Sequence, residues 1–263
     1  RPLSRVTLID HAPVPRDLAA DERVTAIQGD LGQLLDPLTS GPVTLSGADV
    51  VFHLAAAVSG ECETDFDLGI RANLRATEAL LASARAVGTS PLVVFSSSLA
   101  VFGGSEDLPL PEVVDDQTRP NPQTSYGAQK AMGEQLLADY TRKGFLRGRA
   151  LRLVSVSVRP GRPNAAASGF MSGVIREPLA GQRAICPVTP ETEVALASPA
   201  KAIAGLLSAA TASDEAWGGR TAVNLPALTI SLADMASALA RVAGPEVSAL
   251  IDWVPDPDIA RMV

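Results

Sequence analysis

A doubly wound α/β fold on a parallel sheet, followed by a small C-terminal substrate lobe, is predicted by three observations. Short runs rich in Val, Ile and Leu alternate with helical segments as far as Pro160. One run, Ala48 to Ala56, is apolar almost throughout, as in a strand covered on both faces. The C-terminal ends of these runs carry acids, small residues or hydroxyls, and in open α/β sheets that edge is where ligands bind.

In chain order, "RVTLID" (Arg5 to Asp10) reads as a β-branched strand closed by an acid, and "RVTAIQGD" (Arg23 to Asp30) as a second ending in Gly-Asp. "ADVVFHLAA" follows as the buried strand, and Asp65 to Gly88 as one long amphipathic helix with a glycine stop. "PLVVFSSSLAVFG" is a strand that turns to hydroxyls at its end. A Pro- and Asp-rich loop, Asp107 to Pro122, leads to a helix from Ser125 to Lys143 and then the strand "GRALRLVSVSVRPG". Beyond Pro160 small residues, Gly and Pro dominate. Short helices are expected near Ser168 to Leu179, over "SPAKAIAGLLSAATA" and over "SLADMASALARVAG", the last with Ser231 as N-cap. Residues 1–158 with about 193–225 are assigned to a nucleotide-binding domain, and about 159–192 with 226–263 to the substrate lobe.

Composition narrows the partners. Over 263 residues the hydrophobic content is 46% and the net charge −7, which disfavours nucleic acid or an anionic membrane as partner. No apolar run approaches the roughly 20 residues of a membrane span. Cys62 and Cys186 lie far apart and His11 and His53 have no ligand-like spacing, so reduced thiols, a cytoplasmic setting and no metal centre are expected.

Three lysines occur, Lys130, Lys143 and Lys201, and one follows Tyr126 by four residues. That spacing puts phenol and ammonium on one helix face. A cation beside a phenol lowers its pKa from about 10, which would make Tyr126 a general base. The same spacing also occurs in ordinary surface helices. Ser96, Ser97 and Ser98 at a strand end can hold a substrate oxygen or simply cap a turn. Asp10 suits the two hydroxyls of an adenosine ribose and would repel a 2′-phosphate, or it caps a turn. Asp30 could accept from an adenine amino group.

Strand–acid, strand–Gly-Asp, strand–"HLAA", strand–"SSS" and Tyr126-x-x-x-Lys130 stand in the order found in the extended short-chain dehydrogenase/reductases, the NAD-dependent epimerase/dehydratase group, which this sequence resembles from Arg5 to about Gly161. The resemblance implies a Rossmann-like sheet, NAD as cofactor and a Ser98–Tyr126–Lys130 catalytic triad. "SSSLAVFG" is similar to the family's "SSSxxVYG", with Phe102 in place of tyrosine. Asn73 would support a proton relay. Asp10, Asp30, Leu31, Leu54, Ala55, Ala56, Asn73, Ser96, Tyr126, Lys130 and Leu153 would line the cofactor, with Leu54 to Ala56 letting it pass close to the backbone. "SYGAQKAMGE", "HLAAAVSGECETDFDLG" and "RPGRPNAAASGFMSGVIREPLAG" resemble a subgroup that oxidises the C2 hydroxyl of a four-carbon sugar acid such as D-erythronate. Ser59, Ser98, Ser125, Tyr126 and Asn164 would then border the substrate. Its carboxylate calls for a basic group, with Arg176 first and Arg183 and Arg162 behind it.

The sequence departs from that pattern at Val154-Ser155, where Pro-Thr is expected. It also begins at what reads as the family's second strand, with no Gly-rich phosphate turn ahead of it, so residues are expected to precede Arg1. A homodimer is implied by the family's four-helix interface. The rivals are a sugar-nucleotide epimerase or dehydratase of the same family, and a non-catalytic NAD-binding regulator. The regulator would tend to lose the tyrosine or lysine, and this chain keeps both.

Overall fold

A computed structural model of the chain describes residues 3–35, 41, 43–161, 166–219 and 222–260. The first part alternates β1 (Val6–Asp10), α1 (Arg16–Ala19), β2 (Val24–Gln28), α2 (Leu31–Leu35), β3 (Val50–His53), α3 (Ser59–Thr64) and α4 (Phe66–Gly69). It continues through α5 (Ala76–Val87), β4 (Leu92–Ser98), α6 (Ser125–Arg142) and β5 (Arg147–Leu153). The rest comprises β6 (Ser155–Val156), α7 (Phe170–Leu179), β7 (Ala184–Cys186), β8 (Glu193–Ala197), α8 (Pro199–Thr211), α9 (Asp214–Trp217), β9 (Ala222–Asn224), β10 (Leu228–Ser231), α10 (Leu232–Ala243) and, beyond it, β11 (Ile251–Trp253).

The α/β expectation holds. β3, β4, β5 and β9 form a four-stranded parallel sheet in that order, and β1 pairs with β2 in parallel. β1 and β3 do not pair, so each is an edge among the described residues. The main core joins Leu80, Leu81 and Ala84 of α5, Val93 and Phe95 of β4, Leu137 of α6 and Ala150 of β5. A second core joins Met171 and Val174 of α7, Val194 and Leu196 of β8, and Leu232, Met235 and Leu239 of α10. Each such Leu or Val removed from water contributes about 1.5–3 kcal/mol. No helix among the described residues is long and apolar enough to cross a membrane.

Three elements differ from the sequence expectation. The run Ala48 to Ala56 yields only the four residues of β3, and Val50 and Phe52 are each 39% exposed. Among the described residues β3 pairs with β4 alone, and its Val51 packs into the main core while Val50 and Phe52 on the opposite face have no layer over them. The long helix is interrupted by a π-helical turn, Ile70–Arg75, between α4 and α5. Turns of that kind displace one side chain from the helical register and concentrate at functional sites. The strand after α6 breaks at Val154: β5 stays in the main sheet, while β6 crosses to pair with β8. The break falls at the departure noted at Val154-Ser155. The other helices form near their expected positions, and Ser231 caps α10 by accepting from the Asp234 N–H.

Candidate active site

Two glycines bring α6 onto β4. A Cβ on Gly127 would lie 2.0 Å from the Ala100 carbonyl oxygen, and one on Gly133 would lie 2.9 Å from the Phe95 ring. Only glycine permits either approach. Thr124 caps the helix, its hydroxyl accepting from the Gly127 N–H at 3.1 Å. The first turns of α6 therefore lie over the C-terminal end of β4, with Tyr126 beside Ser98 and Lys130 beside Ser96.

Lys130 is 3% exposed, and its Nζ donates to the Ser96 carbonyl at 2.8 Å. The ammonium sits 4.8 Å from the Phe95 ring centre and 5.6 Å from that of Tyr126. No described carboxylate pairs with it, and burial brings its pKa down to about 8. The expectation that this cation lowers the Tyr126 pKa is corrected. Burial pushes the phenol up to about 12, and the Ser98 hydroxyl opposes this only in part. The physical reason is that desolvation of the phenolate outweighs everything else acting on it, while the ammonium is directed at a backbone carbonyl. The Ser98 hydroxyl accepts from the Ala100 N–H at 3.1 Å and has its own proton to give to an oxygen beside it, such as that of Tyr126.

Asn73, on the π turn, is 3% exposed, and its side-chain amide is fully engaged. Its Oδ1 accepts from the Ala57 N–H at 2.7 Å. Its Nδ2 donates to the Ala57 carbonyl at 3.2 Å, to Cys62 Sγ at 3.2 Å and to Gln129 Oε1 at 2.7 Å. Those bonds clamp the chain just after β3, where Leu54, Ala55 and Ala56 lie exposed. Asn73 thus acts on the position of this segment, and no hydrogen bond joins it to Lys130. His53, fully buried below, has Nε2 at 2.8 Å from Thr77 Oγ1, and burial, followed by Lys130, holds its ring down at about 3.

The acids stand at strand ends as expected, and both also cap. Asp10 accepts from the Ala12 N–H and Asp30 from the Gln33 N–H, each at 2.9 Å. Leu31 opens α2 behind Asp30, and Leu153 closes β5 in register with Ser98. Ser96 donates to the His53 carbonyl at 3.1 Å. The chemistry of these groups, carboxylates at two strand ends and hydroxyls at a third beside an exposed backbone segment, suits a dinucleotide.

The residues expected on the substrate side that the structure describes have partners within the chain. Ser59 Oγ accepts from the Ala167 N–H at 3.0 Å, and the Ser125 N–H donates to Glu63 at 2.6 Å, so both tie the rim together. Arg176 donates to the Arg159 carbonyl at 2.9 Å and to Glu177 at 2.5 Å, so its charge is already matched. Arg183 pairs with Asp252 at the surface. Asn164 and Arg162 lie outside the described residues.

Sequence reasoning missed Gln129, His53 and the buried pair Glu134–Arg152, which also holds the Ser97 hydroxyl at 2.5 Å from Glu134. A signal for one existed: Glu134 follows Lys130 by four residues, a carboxylate on the buried stripe of α6.

Residues 2–195 match the NAD dependent epimerase/dehydratase family. A D-erythronate dehydrogenase of Cupriavidus necator is 49% identical over 99% of this chain and 78% of its own length. Another, of Haemophilus influenzae, is 41% identical over 82% of this chain and 67% of its own. A solved structure described as a nucleoside-diphosphate-sugar epimerase from Agrobacterium tumefaciens is 41% identical, with a TM-score of 0.86 over 100% of this chain and 76% of that one. A GalE-like L-threonine dehydrogenase from Cupriavidus necator shares the fold, with a TM-score of 0.82 at 21% identity over 99% of this chain and 80% of its own. By its fold, its site and the match across most of its length, the chain belongs to the NAD-dependent epimerase/dehydratase family.

Proposed function

We propose that this chain oxidises the C2 hydroxyl of a four-carbon sugar acid such as D-erythronate to the 2-oxo acid. The observation that carries the catalytic part is Lys130, a buried ammonium with no carboxylate partner, one helical turn from Tyr126 and beside the strand end bearing Ser98. The substrate class is supported by the two D-erythronate dehydrogenases among its relatives.

Ser98 donates to the substrate oxygen and holds it near the phenol. Tyr126, as phenolate, takes the hydroxyl proton while the C2 hydrogen leaves with its electron pair. NAD⁺, when bound, supplies the hydride acceptor and a positive charge that favours the phenolate. Lys130, with its pKa near 8, holds a proton that it can exchange close to neutral pH. Asn73 and Gln129 keep the Ala57 segment in place under the cofactor. Residues 1–158 with about 193–225 are read as the NAD-binding part and the remainder as the substrate lobe, with β8 at the seam, since its Val194 and Leu196 pack with α7 and α10. A homodimer is part of this reading, through the apolar groove between α5 and α6 lined by Leu74, Met132 and Leu136; light scattering would check it.

The test is NADH formation by the full-length protein across four-carbon sugar acids and nucleotide sugars, with the product identified by NMR. Turnover of an acid to its 2-oxo acid is expected. The epimerase relative favours the second reading, a sugar-nucleotide epimerase, which would instead interconvert UDP-sugars without net NADH.

A further inference from the structure

Arg159 differs from the other arginines withdrawn from water. Arg149 reaches Asp214 and the carbonyls of Ala209 and Ala212. Arg152 reaches Glu134, and Arg176 reaches Glu177. Arg159 is half-buried, and no described carboxylate accepts from its guanidinium. Burial and the neighbouring Arg176 cation both press its pKa down, which marks a charge its surroundings do not compensate. A guanidinium keeps its proton, so that charge stays until an anion meets it.

The base of the side chain is fixed. The Arg159 N–H donates to Ser172 Oγ at 3.0 Å, and its carbonyl accepts from Arg176 at 2.9 Å. Two residues earlier, the Ser157 N–H donates to the Ala197 carbonyl at 2.9 Å and its hydroxyl to the Met171 carbonyl at 2.8 Å. The location is also defined. β5 ends at Leu153 in register with Ser98, and the chain runs on through β6 to Arg159. Further on, Ala167 is tied to Ser59 at the start of α3, just past the clamped Ala57. Arg159 therefore lies between two fixed points at this end of the sheet, Leu153 beside Ser98 and Ala167 tied to Ser59.

We infer that Arg159 binds the carboxylate of the hydroxy-acid substrate and sets the preference for acids over neutral sugars. This rests on the sugar-acid reading above. The planar fork of Arg159 can take both oxygens of a carboxylate, and Arg176, its own charge matched by Glu177, holds the backbone that carries it. A phosphate of a nucleotide sugar would be recognised by the same chemistry, so the experiment must separate the two.

The full-length protein with NAD⁺, and its Arg159→Gln and Arg159→Lys variants, are assayed for D-erythronate turnover and, by calorimetry, for binding of D-erythronate, the neutral tetritol erythritol and UDP-glucose. In Arg159→Gln, D-erythronate binding should weaken about 10- to 100-fold, with the loss falling on KM more than on kcat. Arg159→Lys should recover part of it, erythritol binding should not change, and the melting temperature should not fall. Unchanged D-erythronate affinity in Arg159→Gln, with an active wild type, would overturn the inference alone. Equal weakening of acid and tetritol, or a lowered melting temperature, would reduce Arg159 to a structural part and overturn it too. A wild type that ignores D-erythronate but loses UDP-glucose binding in Arg159→Gln would overturn both this inference and the sugar-acid reading.

Discussion

Lys130 and Glu134 stand one turn apart on the same face of α6, at 3% and 2% exposure, and their surroundings are opposite. Glu134 meets Arg152 through two hydrogen bonds of 2.9 and 2.7 Å and takes a third from Ser97. Lys130 meets a single backbone carbonyl and two aromatic rings. The first is a charge whose burial is compensated in place, so it fixes where α6 lies on the sheet. The second is a charge kept at a cost, which supports the proposed role of Lys130. Two buried charges on one helix thus differ in what faces them, and the uncompensated one is the one proposed to act in proton transfer.

Removing the uncompensated charge separates activity from stability most sharply. Lys130→Met should lower turnover by about 100- to 10,000-fold, while its melting temperature holds or rises. A variant that melts earlier and keeps its turnover would break the comparison. Glu134→Gln should do the reverse. It leaves Arg152 buried without its counter-charge and should cost about 3–5 kcal/mol in denaturant unfolding, with much of this recovered when Arg152 is also changed to Met. Asn73→Ala should cost about 1–3 kcal/mol by orphaning the Ala57 N–H, and should raise the KM for NAD⁺ as the segment after β3 loosens.

The smallest effect is a pH dependence. Lys130 titrates at about 8 when folded and near its ordinary 10.5 when unfolded, so between those values the unfolded chain holds the extra proton. Stability should therefore rise with pH across that window, and Lys130→Met should remove that contribution. His53 gives the same sign lower down. Neutral when folded down to about pH 3 and ordinarily titrating at 6.5, it should make the protein less stable as pH falls from 6.5 to 3. Equilibrium unfolding at stepped pH would measure both, with His53→Gln as the control for the acid side.

The order of strands, the hydroxyls closing β4 and the Tyr126–Lys130 spacing were readable because each depends on local pattern. What escaped depends on neighbours distant in sequence. An apolar run does not say whether its strand is covered on both faces, and β3 is open on one. A π turn has no compositional mark, so Asn73 looked like part of an even helix. Even the sign of the Tyr126 shift turned on desolvation, which follows from how α6 is seated at Gly127 and Gly133. Arg159 stayed hidden because nothing in "RPGRPN" says which partners it meets.

Turnover of D-erythronate by the Tyr126→Phe variant tests the catalytic pair most directly, measured as NADH formation at saturating NAD⁺ beside the wild type. The phenylalanine keeps the ring that faces Lys130 and removes only the oxygen proposed to take the proton. Turnover should fall by about 100- to 10,000-fold with the fold intact by circular dichroism. Near-normal turnover in that variant would contradict the assignment of Tyr126 and Lys130 as the working acid and base.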